Sequence, residues 1–205
     1  MPWLEHGFGT RLSTDWPGER PVSTVHQIHS DLILATDTPG SAGEGDALVS
    51  NRPGLLVVIR TADCLPILMA DLRLRVVAAV HAGWRGTVAG IAPKTIEFLR
   101  KHYGTRLEDL VVAVGPGIGV CCFEVQSEVG RFFGTIFPER NDLGGQTKID
   151  LVEANLRQLR QIGVAEKQIV TPALCTRCGS ELFHSYRRDR EASGRMVSAI
   201  GVVEA

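Results

Sequence analysis

From Leu55 to Val80 the sequence runs through three short aliphatic segments, Leu55 to Ile59, Leu65 to Met69 and Val76 to Val80, each bounded by polar or turn-forming residues. Runs of this length and composition are those of buried strands. Cys64 lies between the first two segments and His81 directly ends the third. Both therefore stand at the ends of core strands, and Gly83 and Gly86 nearby permit close backbone approach. A thiol and an imidazole so placed suit a metal or nucleophile site. Spacing alone also allows a plainer outcome, in which Cys64 is a small buried apolar residue and His81 a capped surface histidine.

The chain has 205 residues, 44% of them hydrophobic, enough for one substantial core, so a single domain over residues 1–205 is expected. Its formal net charge of -1 gives no basic footprint of the kind that nucleic-acid binding needs. A small-molecule partner is expected instead. No apolar run approaches the ~20 residues of a membrane span, and the opening residues have no charged-then-apolar leader, which predicts a cytoplasmic location and no membrane partner. Five cysteines, an odd count, argue against a disulfide framework and for reduced thiols.

Taken in order, residues 1 to 20 show no sustained period and read as an irregular segment. Val22 to His29 alternates apolar and polar residues like a half-buried strand, on which His26 and His29 point to opposite faces. Ser41 to Asp46 reads as a flexible loop delivering Asp46 either as a turn cap or as a partner for a ligand histidine. Thr87 to His102 has helical spacing, with Pro93 marking a kink or a second start and Gly104 the end. Leu110 to Val114 is a further strand, Gln126 to Phe137 reads as helical, Asp150 caps a helix running to Ile162, and Met196 to Val203 is a last strand. The glycine-rich turn Gly115-Pro-Gly-Ile-Gly119 lacks the ending of a phosphate-binding loop.

Cys121 and Cys122 are adjacent, and on alternating backbone their side chains diverge. Cys175-Thr-Arg-Cys178 has a spacing that lets two sulfurs reach one ion, but no second pair stands at finger-like spacing, so two loop cysteines are expected there rather than a second metal site. Arg187, Arg188 and Arg190 flank Asp189, offering forks for an anion or simply a solvated loop held by its own ion pair.

Together, Val25-His-Gln-Ile-His-Ser30, Gly45-Asp-Ala-Leu-Val49, Thr61-Ala-Asp-Cys-Leu-Pro66, Val80-His-Ala-Gly-Trp-Arg-Gly86, Gly115-Pro-Gly-Ile-Gly119 with Cys122-Phe-Glu-Val125, and Ser185-Tyr-Arg-Arg-Asp189 closely resemble the laccase-domain family. That family was first described as multicopper polyphenol oxidases and is now regarded as zinc-containing purine nucleoside phosphorylases. The resemblance implies packed mixed β-sheets with helices on the outer faces, in α/β/β/α layers. It implies one Zn2+ held by His29, Cys64 and His81, with His26 outside the match, and copper as an alternative occupant because Cu(II) outranks Zn(II) at many such sites. Gly117, inserted between the usual Gly-Pro and Ile-Gly, is expected to loosen its loop.

The implied reaction cleaves adenosine, inosine, guanosine or methylthioadenosine with phosphate to free base and ribose 1-phosphate, with an adenosine deaminase side activity. Purine nucleoside and phosphate are then the partners, and the protein is a monomer or small homo-oligomer. His29, Cys64, His81 and Arg85 would be the catalytic set. Arg60, Asp63 and Arg188 would contact substrate, with Arg60, Arg85 and Arg188 as phosphate candidates and Asp63 as a second possible partner for Arg85. Competing readings are a Cys-His amide or ester hydrolase, a copper-dependent polyphenol oxidase, and a zinc-dependent binding module without turnover.

Overall fold

The structure is a computed structural model describing residues 1–203. Its strands are β1 (Leu4–Phe8), β2 (Val22–His26), β3 (Ile33–Ala35), β4 (Gly40–Glu44), β5 (Ala47–Ser50), β6 (Leu56–Thr61), β7 (Leu65–Asp71), β8 (Val76–Ala82), β9 (Leu110–Val114), β10 (Glu124–Val125), β11 (Thr147–Lys148), β12 (Ile169–Val170) and β13 (Met196–Val202). The α-helices are α1 (Trp84–Val88), α2 (Ile91–Tyr103), α3 (Ser127–Gly130), α4 (Leu151–Gln161) and α5 (Tyr186–Asp189). A five-stranded sheet has the order β1-β13-β6-β2-β4 and a six-stranded sheet the order β12-β9-β7-β8-β5-β3. Both are mixed: β2 runs parallel to β4 and β6, and β3 to β5, whereas β7 is antiparallel to β8 and β9.

The two-residue period of the strands sorts the aliphatic runs into layers. Val57 and Ile59 of β6, Leu68 and Ala70 of β7, and Val77 and Ala79 of β8 form one cluster between the sheets. The alternate residues Ile67, Met69, Ala78 and Val80 point the other way, into a larger cluster with Ile91, Ile96 and Leu99 of α2 and Leu156 and Leu159 of α4. Helices thus cover the outer face of the six-stranded sheet. On the far side of the five-stranded sheet, Leu56, Val58 and Ala199 are covered by Trp16 from the N-terminal segment rather than by a helix. The α/β class with packed mixed sheets is as expected, and the fourth layer is reduced to this indole.

Three connections cross from the five-stranded to the six-stranded sheet: β2 to β3, β4 to β5 and β6 to β7. They carry His29, Asp46 and Cys64 respectively. By parity with Val77 and Ala79, His81 at the end of β8 faces the space between the sheets. The residues singled out around the aliphatic runs therefore collect at the crossings between the two sheets.

Several local expectations change. Leu4–Phe8 is not irregular but pairs antiparallel with β13, and Gly40–Glu44 is not a loop but an edge strand parallel to β2. Neither has an alternating apolar pattern, because their ladders are built from backbone groups and their side chains are mostly half-buried or exposed. The stretch after Gln126 forms only the single turn of α3 and a 3-10 turn, Arg131–Phe133. Pro93 marks a new start: α1 and α2 are separated by Gly90 in the left-handed region at φ 78°, and Gly104 closes α2 at φ 76°. Asp150 caps α4 by accepting from the Glu153 N–H at 2.9 Å.

Candidate active site

The ligand-bearing turn at the β2 crossing exists because Asp46 organises it. The strand ends at His26, and the chain then turns through His29 at φ 60°, a conformation that needs local support in a residue other than glycine. The fully buried Asp46 carboxylate supplies it, accepting the N–H groups of Ile28, His29 and Ser30 at 3.3, 3.0 and 2.6 Å and the Ser30 hydroxyl at 2.7 Å. Asp46 Oδ1 also lies 2.7 Å from Nδ1 of His81. An ionised carboxylate only accepts, so His81 carries its proton on Nδ1 and presents Nε2. The two roles weighed for Asp46, turn cap and histidine partner, are both filled.

Ring centroids of His29 and His81 are 4.9 Å apart, nearly perpendicular, and one donor atom each from His29, Cys64 and His81 lies within 4.8 Å of the others. Burial opposes ionisation of the Cys64 thiol, but hydrogen bonds from His29 and His81 bring it down to about 6. Burial likewise opposes charge on His81, yet Asp46 and Cys64 together lift it to about 9. Asp46, despite its burial, is held near 2 by His81 and Ser30. Gly83 leaves the room: a Cβ there would stand 2.9 Å from Cys64 Sγ and 3.3 Å from His29 Cδ2. Two imidazoles and a thiolate around a space that an alanine methyl would invade form a donor set that fits a transition metal with a coordination position left open.

This cluster is at the floor of a cleft of about 730 Å³. One wall carries Val25, His26, Gln27 and Arg60, with Arg195 beside them just before the strand that pairs with β6, and the other carries Ile118, Phe123, Tyr186, Arg187 and Glu191. Gln27 fastens the first wall, its side-chain amide donating to the Arg60 carbonyl and accepting the Arg60 N–H, both at 2.8 Å. Asp63 fastens the second. Held at φ 90°, its carboxylate accepts the Thr176 hydroxyl at 2.7 Å and the Arg187 N–H at 2.6 Å, and its carbonyl accepts the Ile118 N–H at 2.7 Å.

These contacts redistribute the arginines. Arg60 lines the cleft, and its guanidinium makes no hydrogen bond or ion pair among the described residues. Arg85 is exposed, its guanidinium 4.4 Å from the Trp84 ring centroid, and neither lines the cleft nor meets Asp63. Arg188 is spent on structure, bound to Asp189 and to the carbonyls of Thr176, Arg177 and Phe183. Arg187 and Arg195 reach the cleft instead. His26 also lines it, contrary to opposed faces for the two histidines, because His29 lies beyond the end of the strand. Gly117 tightens its loop rather than loosening it: its N–H and C=O bond to Leu174 and Thr176, and a Cβ would come within 2.3 Å of Leu65.

Behind the second wall is a group that spacing did not reveal. The turn closed by the Cys122 and Phe123 N–H groups on the Gly119 carbonyl folds Cys121 and Cys122 toward Cys178, at 3.6 and 3.4 Å between sulfurs. Cys175 joins them through a bridge between Gly117 and Cys175. Adjacent side chains diverge on a strand but not on this turn, and the partner pair missing from the local sequence comes from a segment more than fifty residues away.

The chain is similar in sequence and in fold to known proteins. The family model described as multi-copper polyphenol oxidoreductase laccase matches residues 10–203. A purine nucleoside phosphorylase of Clostridium acetobutylicum is 35% identical over 188 residues, 91% of this chain and 79% of the relative. An adenosine deaminase from an unidentified prokaryote is 38% identical over 174 residues, 82% of this chain and 66% of the relative. The crystal structure of YlmD from Geobacillus stearothermophilus superposes with a TM-score of 0.85 at 32% identity, covering 90% of this chain and 74% of that one.

Proposed function

Since the chain belongs to the multi-copper polyphenol oxidoreductase laccase family, many of whose curated members are named purine nucleoside phosphorylases, we propose that it cleaves purine nucleosides with phosphate. The observation that carries this reading is the convergence of His29, Cys64 and His81 beside an arginine-bearing cleft of nucleoside size. Those three residues would hold Zn2+, and no methionine or further histidine cluster stands at the cleft among the described residues to favour a copper electron-transfer centre. The ion, when bound, supplies Lewis-acid charge beside the reacting centre.

The chain's own groups do the rest. Arg60 is free to receive the phosphate dianion, with Arg195 at the start of the adjoining strand to share its charge. The exposed Tyr186 ring at the cleft is the surface offered to the purine. Asp46 keeps His81 in one tautomer throughout. Adenosine deamination is proposed as a side activity of the same cleft, in keeping with the deaminase among the relatives. The test is a chromatographic scan of products from adenosine, inosine, guanosine and methylthioadenosine, with and without phosphate: base release should require phosphate, and phosphate-independent release would reject phosphorolysis.

One observation favours a second reading. Asp46, His81 and Cys64 are aligned as in a carboxylate-imidazole-thiol relay, with the thiol near 6 and the imidazole near 9. A thiolate engaged as a metal ligand cannot also be the nucleophile. Chelation that raises amide or ester hydrolysis while abolishing phosphorolysis would favour the relay; loss of all turnover on chelation favours the metal.

A further inference from the structure

We propose that Cys121, Cys122, Cys175 and Cys178 form a second, structural zinc site, separate from the cleft floor, that clamps the far wall of the cleft. The sulfur atoms of all four lie within 4.8 Å of one another. A tetrahedral ion with Zn–S bonds of about 2.3 Å requires sulfur separations of roughly 3.8 Å, whereas a disulfide requires about 2 Å. The Cys122–Cys178 and Cys121–Cys178 separations, 3.4 and 3.6 Å, fit the edge of the tetrahedron and are far from a covalent bond. Four soft donors and no other ligand type are the pattern of a closed structural site, in contrast to the three donors and open position at the cleft floor.

The surrounding backbone is arranged for thiolates. The Gly119 N–H donates to Cys175 Sγ at 3.3 Å, and such N–H bonds to sulfur stabilise the charge that metal-bound thiolates carry. A side chain at Gly119 would crowd the group, its Cβ standing 3.1 Å from Cys175 Cβ and 3.3 Å from Cys121 Sγ. Both pairs are accessible from solvent, Cys121 and Cys178 being exposed, so an ion can enter without the core opening.

The site lies where two distant segments meet. Cys121 and Cys122 end the turn that carries Ile118 and Phe123 to the cleft; Cys175 and Cys178 begin the segment that carries Tyr186 and Arg187. Besides this cluster, the two segments are joined by the Gly117–Cys175 bridge and by Arg187 Nη1 donating to the carbonyls of Cys122 and Glu124 at 3.4 and 2.9 Å. An ion bound by all four sulfurs would fix the relative position of Phe123 and Arg187.

The test is elemental analysis of the full chain purified without added metal, combined with cobalt substitution. Wild type should carry about two zinc ions, and the Cys121→Ser, Cys178→Ser double variant one fewer. In a Cys64→Ala background, where the cleft floor no longer contributes, bound Co2+ should give the intense thiolate-to-cobalt absorption of a four-sulfur tetrahedral site. Should Cys64→Ala fail to fold, the loss of that absorption between wild type and the double serine variant reads the same quantity. Zinc content unchanged by the serine pair, iron in place of zinc, or a Cys122–Cys178 disulfide in the purified protein would each overturn the proposal. An ion lost with the serine pair but not with Cys64→Ala would support this site and count against the first.

Discussion

The floor of the cleft and the cysteine group behind its far wall are both metal-donor clusters, and they are built in opposite ways. At the floor, donors come from strand ends and sheet crossings, are mixed in type, and are held by a buried carboxylate that spends five contacts on the turn and on His81. Behind the wall, all donors are thiols, they sit on turns, and the Gly119 N–H donates to one of the sulfurs. A preorganised, incomplete donor set positions a reaction; a complete set of identical donors positions chain segments. The floor is fixed by Asp46, whereas the segments of the cysteine group are joined by the Gly117–Cys175 bridge and the Arg187 hydrogen bonds, to which a bound ion would add.

The largest expected break in this comparison is Cys64→Ala, which should remove the floor ion and depress phosphorolysis by more than about a hundredfold, since loss of even an outer-sphere partner costs about 10–100-fold. Retention of activity in a variant shown to lack the ion would remove metal from the mechanism. Next is Asp46→Asn, predicted to weaken metal binding by about 10–100-fold while the cysteine group keeps its own ion. Asp46 also sets an acid limb. Its carboxyl sits near 2 when folded against about 4 when unfolded, so the stability from its charge is complete above roughly pH 4 and is lost as pH falls toward 2. The Asn variant should show a flatter loss of melting temperature across that window.

Smaller effects separate the arginines. Arg60→Leu should raise the apparent KM for phosphate by about tenfold or more with little change in melting temperature, because its guanidinium binds no other group among the described residues. Arg85→Leu should leave phosphate dependence nearly untouched and cost at most about 1 kcal/mol through the lost contact with Trp84. Reversal of these two results would return the anion to the side of α1.

What was legible in the sequence follows the same division. The aliphatic runs declared the inner strands, and the motifs around His29, Cys64 and His81 declared the floor, because each donor lies within a few residues of a strand boundary. Asp46 was legible only as a choice of roles. Arg187 and Phe123 were not legible as cleft residues, since their wall is docked through Asp63 to Thr176, 113 residues away, and Arg195 is brought there only by the pairing of β13 with β6. The cysteine group was hidden for the same reason, and the argument from alternating side chains failed at Cys121 and Cys122 because they occupy a turn. The edge strands β1 and β4 escaped notice because backbone pairing leaves no apolar period.

The central claim, phosphorolysis in a cleft whose metal is held by His29, Cys64 and His81, is tested most directly by phosphorus NMR of inosine and phosphate incubated with the protein. Wild type should convert the phosphate signal to that of ribose 1-phosphate, and Cys64→Ala, verified as folded and lacking the floor ion, should not. Equal conversion by that variant, or no ribose 1-phosphate from the fully metal-loaded wild type, would contradict the account.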